Sequence, residues 1–458
     1  MNILLLGSGG RECAIAVSLA ASPRCDKLVI APGNGGMQRI GECVSLDICD
    51  GDAVVSCARA HDCELVVIGP EAPLVAGVAD AVRGAGIACF GPGAAGARVE
   101  GSKDFSKKLM EKYDLPTASY ATFTDVDAAL AHVREVGAPI VVKADGLAAG
   151  KGVTVASTTE EAEGAVRECF EGRFGDAGAT VVIEECLKGP ECSLLAFTDG
   201  RTVLAMEEAQ DHKRALEGDR GPNTGGMGVY SPVPIVTDEE HDAMVEVMER
   251  AVAGMKNEGI DYRGCLYGGF MLTAEGPKLL EFNARFGDPE TQVVLPRLRT
   301  DLVDVMMACA TGTLEEVELF WRPEWAVSVV LASKGYPGSY ETGYEITGIE
   351  DAEAMEGVTV FHAGTKLVSS GGGSGAGGAG VGGSAGAGGP GAIDDCGAGG
   401  RTVVTGGGRV LNVTALGATF GEARERAYAA CELINFEGKT LRRDIGERAM
   451  RGRGAWEI

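Results

Sequence analysis

The feature that most restricts the fold is a series of four apolar runs near the start, each ending in a turn that contains glycine or proline. The runs are NILLLG (2–7), KLVIAPG (27–33), ELVVIGP (64–70) and GIACFGP (86–92), and helical stretches separate them. Apolar strands that alternate with helices are typical of βα units in a parallel sheet. Ligands of such sheets bind at the carboxyl ends of the strands. We therefore expect an N-terminal α/β domain over 1–101 with a ligand site at its turns.

The first of these turns, GSGGRE (7–12), is a candidate anion site. It departs from the dinucleotide fingerprint G-x-G-x-x-G because Glu12 takes the place of the last glycine. Glycines that open a helix present backbone N–H groups to an anion, and Arg11 adds a positive charge. The pattern favours a monophosphate at Gly9, Gly10 and Arg11 over a dinucleotide. An ordinary strand-to-helix turn is the alternative.

A second glycine-rich stretch, ADGLAAGKGV (144–153), differs from a nucleotide-binding P-loop. A P-loop has four residues between its glycines and a hydroxyl residue after its lysine. Here three residues separate Gly146 from Gly150, and Gly152 follows Lys151. Such a loop could still close over phosphates as a flexible hairpin. A solvated surface hairpin is the alternative.

Charged residues stand on both sides of this loop. Lys143 ends a buried strand, where a lysine is unfavourable unless it meets an anion. Farther along, the strand TVVIEECL (180–187) carries Glu184 and Glu185, and Glu191 follows closely. These carboxylates could accept hydrogen bonds from an adenine amino group and from ribose hydroxyls. The stretch therefore indicates a nucleotide site.

The segment LLEFNARFGDPET (279–291) carries a candidate metal site. Alternation along a strand places Glu281 and Asn283 on one face, with Arg285 next in line. A carboxylate and an amide oxygen suit Mg²⁺, which binds few protein ligands together with phosphate oxygens. Arg285 is then placed to stabilise charge on a transferred group. A strand edge with an ordinary polar face is the alternative.

Charge and composition narrow the class of protein. The 458 residues include 41 basic and 66 acidic side chains, and the net charge of −25 argues against nucleic acid as a partner. No apolar run reaches the roughly 18 residues of a membrane helix. We therefore expect a cytoplasmic protein of several domains that does not bind membranes. Fourteen scattered cysteines without a C-x-x-C pair favour reduced thiols over disulfides or a zinc site.

A low-complexity segment, 369–400, interrupts the C-terminal region. Thirteen of the 21 residues from 371 to 391 are glycine, and such a composition cannot bury enough apolar surface to offset the entropy of ordering. The flanking runs VFHAGTKLV (360–368) and TVVTGGGRVLNVTALG (402–417) predict strands of a hairpin with a greatly extended loop. We expect a small, mostly-β domain over 325–458 with this segment as a disordered insert.

Together these motifs resemble the ATP-grasp ligases, and among them the phosphoribosylamine–glycine ligase family of purine synthesis. The resemblance extends over about 1–366 and 401–449 and includes the stretches EGSKDFSK, QDHKR, GPNTGGMGVYSP, GYPG, FHAGT and LRRDIG. It implies an α+β ATP-grasp domain over 102–300 with a lid at about 117–190. It also implies that 144–153 is the phosphate loop of that lid, which needs no hydroxyl because the metal is held elsewhere.

The resemblance further implies the reaction and the residues that perform it. ATP would drive the joining of glycine to 5-phospho-D-ribosylamine through glycyl phosphate, in a monomeric enzyme that makes glycinamide ribonucleotide. The expected catalytic residues are Arg285 and Lys143, and the expected ligands of Mg²⁺ or Mn²⁺ are Glu281 and Asn283. The expected ATP contacts are Lys103, Lys143, Gly150, Lys151, Gly152, Glu184, Glu185, Leu187 and Glu191. The expected substrate contacts are Gly9, Gly10, Arg11, Glu12, Asn34, Pro70, Glu71, Asp211, His212, Lys213, Asn223, Thr224, Gly225 and Gly226.

Two features depart from the family pattern, namely Cys13 in place of a histidine and the insert 369–400. A thiolate at position 13 would be favoured by the helix N-terminus and by Arg11. We therefore expect Cys13 to react with alkylating agents unless substrate or product covers it, and a buried Cys13 is the alternative.

Two other functions compete with this interpretation. One is an ATP-grasp enzyme with a different acyl donor, such as a carboxylase. The other is a non-catalytic nucleotide-binding scaffold. The presence of Lys143, Glu281 and Arg285 argues against the scaffold.

Overall fold

The computed structural model describes residues 1–146, 152–369 and 401–451, except for the side chains at 176, 448 and 451. The predicted loop residues Gly150 and Lys151, and the insert from 370 to 400, lie outside this part of the chain. Within it, no helix is both long and apolar enough to cross a bilayer.

The N-terminal region is a five-stranded parallel sheet with helices on its faces, as the apolar runs predict. The strand order is β3-β2-β1-β4-β5. Its strands are β1 (Asn2–Gly7), β2 (Lys27–Pro32), β3 (Glu42–Cys43), β4 (Cys63–Ile68) and β5 (Ala88–Phe90). Its helices are α1 (Gly10–Ala20), α2 (Gly51–Ala60), α3 (Glu71–Val75), α4 (Val78–Gly84) and α5 (Ala94–Gly101). Because both faces are covered, successive residues of β1 are fully buried.

The middle region contains two antiparallel four-stranded sheets, in the orders β6-β9-β7-β8 and β11-β10-β16-β17. Its strands are β6 (Tyr120–Phe123), β7 (Ile140–Ala144), β8 (Val153–Ala156), β9 (Val181–Glu185), β10 (Glu191–Thr198), β11 (Val203–Ala205), β12 (Gln210–Asp211), β13 (Arg214–Leu216), β14 (Arg220–Asn223), β15 (Gly228–Ser231), β16 (Gly264–Thr273) and β17 (Gly276–Asn283). Its helices are α6 (Lys103–Lys112), α7 (Val126–Val136), α8 (Thr159–Phe170), α9 (Asp238–Asn257), α10 (Thr291–Val294) and α11 (Leu302–Thr311). One short 3₁₀ turn lies in the N-terminal region, at Met37–Arg39. Others follow later in the chain at Gly175–Ala179, Leu295–Arg297 and Leu314–Glu316.

Local chemistry explains why elements of the middle region begin and end where they do. Helix α8 begins after Thr158, whose hydroxyl accepts the Glu161 N–H at 3.2 Å, and apolar residues spaced three or four apart form its buried face. Strands β16 and β17 form a hairpin. Its loop is Ala274 and Glu275, because Gly276, with φ of +110°, already pairs with Thr273.

The C-terminal region is mostly β, as predicted, and shares its main sheet with the middle region. Its elements are β18 (Trp325–Ser333), α12 (Ile349–Glu353), β19 (Val358–His362), β20 (Thr365–Ser369), β21 (Arg401–Thr405), β22 (Arg409–Gly417), α13 (Phe420–Leu433), β23 (Lys439–Thr440) and α14 (Glu447–Arg451). The main sheet has the order β12-β15-β18-β22-β19, with β23 beside β18. Strands β20 and β21 pair from Thr365 opposite Thr405 to Ser369 opposite Arg401, which confirms the predicted hairpin around the insert.

Candidate functional site

The GSGGRE turn between β1 and α1 is organised by its own glutamate. The Glu12 carboxylate accepts the Gly9 N–H at 2.7 Å and pairs with Nε of Arg11 at 2.5 Å. A Cβ added at Gly7 or at Gly69 would lie 2.4 Å from Glu12 side-chain atoms. A side chain at either glycine would therefore displace the Glu12 carboxylate. Two groups predicted to bind phosphate, the Gly9 N–H and the Arg11 guanidinium, bond to Glu12.

Arg11 and Arg285 meet at one carboxylate. Nη2 of Arg11 lies 3.9 Å from Oε2 of Glu71, and Nε of Arg285 lies 3.4 Å from the same oxygen. Arg285 also pairs with Glu100 at 2.7 Å. Burial opposes ionisation, yet the charges of Arg285 and Arg11 hold the pKa of Glu71 below its ordinary value. The structure thus joins the N-terminal turn to the predicted catalytic arginine and adds Glu100, which sequence reasoning missed.

The predicted nucleotide site contains a buried carboxylate between two lysines. Nζ of Lys143, on β7, lies 2.9 Å from Oε1 of Glu184, on β9. Nζ of Lys107, on α6, lies 3.0 Å from Oε2 of the same residue. Burial lowers the pKa of Lys107 to about 8. Sequence reasoning missed Lys107, although it stands one helical turn after Lys103 and so shares its face of α6.

The base of the glycine loop is fixed to the start of α6. Lys103 donates to the carbonyl of Gly146 at 3.1 Å, and the carbonyl of Gly152 accepts from the Ala144 N–H at 2.8 Å. Burial lowers the pKa of Lys103. Asp145 accepts from the Ser102 hydroxyl at 3.2 Å. The first end of the loop therefore lies beside Lys103, and its second end pairs with the end of β7.

Glu281 and Asn283 lie on one face of β17, and the buried Phe282 points to the other. The side chain of Glu281 is surrounded by cations. Burial opposes its charge, but Lys213, Lys143 and others lower the pKa of Glu281, so the carboxylate is ionised at neutral pH. No group of three or more His, Cys, Asp or Glu side chains suited to a metal occurs among the described residues. The donor pair fits a hard cation that takes its remaining ligands from phosphate oxygens and water.

The QDHKR stretch places Lys213 beside this centre. Nζ of Lys213 lies 2.6 Å from Oε2 of Glu191, at the start of β10. Although burial favours the neutral amine, the charges of Glu191 and Asp211 raise the pKa of Lys213 well above its ordinary value. Burial raises the pKa of Asp211 to about 7, against the attraction of Lys213. These predicted residues thus come together in one charged cluster near Glu281.

The ring of His212 is held by backbone groups at both of its nitrogens. Its Nε2 accepts the Gly446 N–H at 3.0 Å, and its Nδ1 lies 3.3 Å from the carbonyl of Gly228. Burial and the nearby Arg442 lower the pKa of His212 to about 4. The ring is therefore neutral, with its proton on Nδ1, and both nitrogens bond to the backbone.

The PNTGGMG loop after Asn223 is held at several points. The Thr224 hydroxyl donates to the Lys213 carbonyl at 2.8 Å. Arg409 donates to the Gly225 carbonyl and pairs with Asp288 at 3.0 Å. Gly226 has φ of +108°, and a Cβ there would lie 2.5 Å from Pro289. Arg409 and Asp288 were not predicted, because their contact joins positions 121 residues apart in the sequence.

Four further predicted residues lie at the edges of the site. Asn34 donates to the carbonyls of Ser8 and His362, at 2.9 and 2.8 Å, and so joins the N- and C-terminal regions. Glu185 is exposed and accepts from the Ser119 hydroxyl at 3.1 Å. Pro70 precedes α3, and Leu187 lies half-buried after β9.

Cys13 lies in the core rather than at the phosphate turn. Its side chain is 1% exposed, and burial raises the pKa of the thiol to about 12. The sulfur accepts the His362 N–H at 3.3 Å. The expectation of a reactive thiolate is wrong because the desolvation of a buried anion outweighs the hydrogen bond from His362 and the charge of Arg39.

Comparisons with known proteins cover nearly the whole chain. Models of the phosphoribosylglycinamide synthetase family match residues 1–100 (N domain), 101–291 (ATP-grasp domain), and 326–378 with 387–448 (C domain). The phosphoribosylamine–glycine ligase of Mesorhizobium japonicum is 50% identical over 451 residues, 98% of this chain and 99% of that protein. The one of Yersinia pestis is 48% identical over 455 residues, 98% of this chain and 99% of that protein.

Solved structures give the same result. The crystal structure of phosphoribosylamine–glycine ligase from Thermotoga maritima has a TM-score of 0.79 at 33% identity, covering 97% of this chain and 100% of that chain. A biotin carboxylase from Campylobacter jejuni has a TM-score of 0.69 at 13% identity, covering 96% and 92%. The second likeness is one of fold alone.

Proposed function

The chain belongs to the phosphoribosylglycinamide synthetase family, and from that premise we propose how its residues perform the reaction. The reaction is the ATP-dependent ligation of glycine to 5-phospho-D-ribosylamine, which gives glycinamide ribonucleotide, ADP and phosphate in the second step of purine biosynthesis. The single observation that supports the assignment most directly is the Glu71 carboxylate between Arg11 and Arg285, which brings the predicted ribose-phosphate turn to the predicted phosphoryl-transfer centre.

The chemistry requires two displacements. An oxygen of the glycine carboxylate attacks the γ-phosphorus, the bond to the β-phosphate oxygen breaks, and ADP leaves. The amine of phosphoribosylamine then attacks the acyl carbon of glycyl phosphate, phosphate leaves, and the amine releases a proton. A carboxylate is already ionised at neutral pH and needs no general base. Catalysis therefore depends on positioning and on charge stabilisation.

Lysines and a glycine loop would neutralise the negative charge of the ATP phosphates. Lys103 and Lys143 would contact the phosphates of ATP, and the loop carrying Gly150, Lys151 and Gly152 would close over them. The adenosine would lie near Glu184, Glu185, Leu187 and Glu191. Because Glu184 already pairs with two lysines, its contribution would be to hold Lys143 in place.

Glu281 and Asn283 would hold Mg²⁺ or Mn²⁺, which when bound neutralises charge on the phosphate oxygens. Arg285 would stabilise the acyl-phosphate stage, since its guanidinium is fixed by Glu100 and Glu71. The cationic surroundings that keep Glu281 ionised suit a polyphosphate equally well.

The acceptor would occupy the space between the three regions. Its 5-phosphate is assigned to the turn that carries Gly9, Gly10 and Arg11. Lys213 and the loop after Asn223 would line the other side. The remaining residues assigned to this site are Glu12, Asn34, Pro70, Glu71, Asp211, His212, Thr224, Gly225 and Gly226.

The proposal also covers the domain boundaries, the oligomeric state and the cellular location of the protein. We propose domains at 1–101, 102–300 (lid about 117–190) and 325–458, and a monomeric enzyme in the cytoplasm.

A coupled assay of ADP release, with each substrate omitted in turn, tests the function. We expect ADP release only when glycine and phosphoribosylamine are both present. Release that depends on bicarbonate and not on glycine would instead indicate the carboxylase-like alternative.

A further inference from the structure

The tail motif LRRDIG (441–446) contains a buried arginine that the proposed mechanism does not use. Arg442 is 1% exposed. Its Nε and Nη2 form a two-pronged pair with the carboxylate of Asp444, each at 2.8 Å. Its Nη1 donates to Oδ1 of Asp219 and to the carbonyl of Arg214, each at 2.9 Å. Arg442 thus ties the tail to the hairpin of β13 and β14.

Other residues of the LRRDIG motif contact the hairpin of β13 and β14 and the chain on either side of it. We name residues 442–446 the tail segment. Its Asp444 accepts the Gly218 N–H at 2.7 Å. Its Ile445 packs against Gly228 so closely that a Cβ on that glycine would lie 2.6 Å from the isoleucine. Its Gly446 donates to His212 at 3.0 Å. The tail segment therefore contacts both ends and the tip of the stretch 212–228.

These contacts bracket Lys213. The residue before it, His212, bonds to the tail segment through its ring, and the residue after it, Arg214, does so through its carbonyl. The Lys213 side chain itself reaches Glu191 at 2.6 Å. The backbone that carries Lys213 is thus fixed on both sides by residues more than 220 positions later in the chain.

We propose that Arg442 is a positioning residue for Lys213: by clamping the backbone on both sides of that lysine, the tail segment holds its ammonium group beside Glu191 and the phosphate-binding centre. The inference rests on the proposed function for its kinetic consequence only. The positional link between Arg442 and Lys213 is independent of what the enzyme makes.

The first test is chemical labelling of lysines in the full chain. Mild acetic anhydride would be applied to the wild-type protein and to Arg442→Gln, and acetylation of Lys213 would be measured against exposed Lys188 by peptide mass spectrometry. Losing the Glu191 pair should lower the pKa of the freed amine, so Lys213 should label on the order of tenfold faster in the variant. Arg297→Gln is the matched control, since Arg297 is also buried and bonds to Glu324, Ser231 and Glu207. It should leave Lys213 labelling unchanged.

The second test is kinetic. Arg442→Gln should lower kcat for glycine-dependent ADP release about 10- to 100-fold, the scale of a displaced active-site group, and Arg297→Gln should change it less than about twofold. If Arg442→Gln does not fold, Asp219→Asn removes the negative charge of one partner of Arg442 and should show both effects more weakly. Unchanged Lys213 labelling in a folded variant, or an equal effect of Arg297→Gln, would overturn the proposal. Absence of glycine-dependent activity in the wild type would instead reject the function and leave the labelling result standing.

Discussion

Lys143 and Glu184 form a buried ion pair, with Nζ 2.9 Å from Oε1. Lys107 occupies the other carboxylate oxygen, so Glu184→Gln would leave two buried lysines without a counter-charge. Breaking such a pair costs about 3–5 kcal/mol, and we expect the urea midpoint to fall accordingly. The matched control is Glu185→Gln, which alters an exposed side chain and should stay within about 0.5 kcal/mol. Equal midpoints for the two variants would contradict the structural role of Glu184.

Glu281→Gln keeps the shape of the side chain and removes its charge. Turnover should fall on the order of 10³-fold or more, since one major electrostatic stabiliser is lost. Glu275→Gln, in the exposed turn of the same hairpin, should retain wild-type turnover. Steady-state ADP release measures both variants. Near-normal turnover in Glu281→Gln would remove this residue from the site.

The structure predicts a loss of stability in mild acid. His362 is 2% exposed, and burial together with Arg39 lowers its pKa to about 4. In the unfolded chain the His362 ring is protonated below about pH 6.5, whereas in the folded protein it stays neutral down to about pH 4. Its contribution to the free energy of unfolding is therefore complete above about pH 6.5 and decreases as the pH falls towards about 4. This residue should account for a decrease on the order of 1 kcal/mol between pH 7 and 5.5. Urea unfolding of His362→Gln at both values should show a correspondingly smaller decrease, and an unaltered slope would refute the assignment.

Deleting 371–399 should leave activity within about twofold of the full chain, because loop closure changes only modestly with length. The deletion joins Ser370 to Gly400, between Ser369 and Arg401, which already face each other across the hairpin. Two residues suffice to connect such strands. Glycine-dependent ADP release measures the outcome. A large loss would mean that the insert contributes to the site.

Sequence reasoning succeeded where a local pattern decides the structure. The apolar runs of β1 and β4 predict buried parallel strands, and the alternation along β17 places Glu281 and Asn283 together. Sequence reasoning failed where a residue's contacts come from parts of the chain that are distant in the sequence. The short strands β12 to β15 have little apolar periodicity, and β13 and β14 are held by the tail segment. Burial of Cys13 depends on packing against the C-terminal region, which the residues around it do not reveal.

The sheet in which β12 and β15 join β18, β22 and β19 crosses the predicted boundary near residue 300. Cutting the chain there would leave β15 without its neighbour β18 and expose an unpaired edge in each fragment. Neither half should therefore be usable as a stand-alone module in a fusion protein. Expressed together, however, the halves carry matching strand edges, which makes this boundary a natural place to build a split enzyme that regains activity only on reassembly.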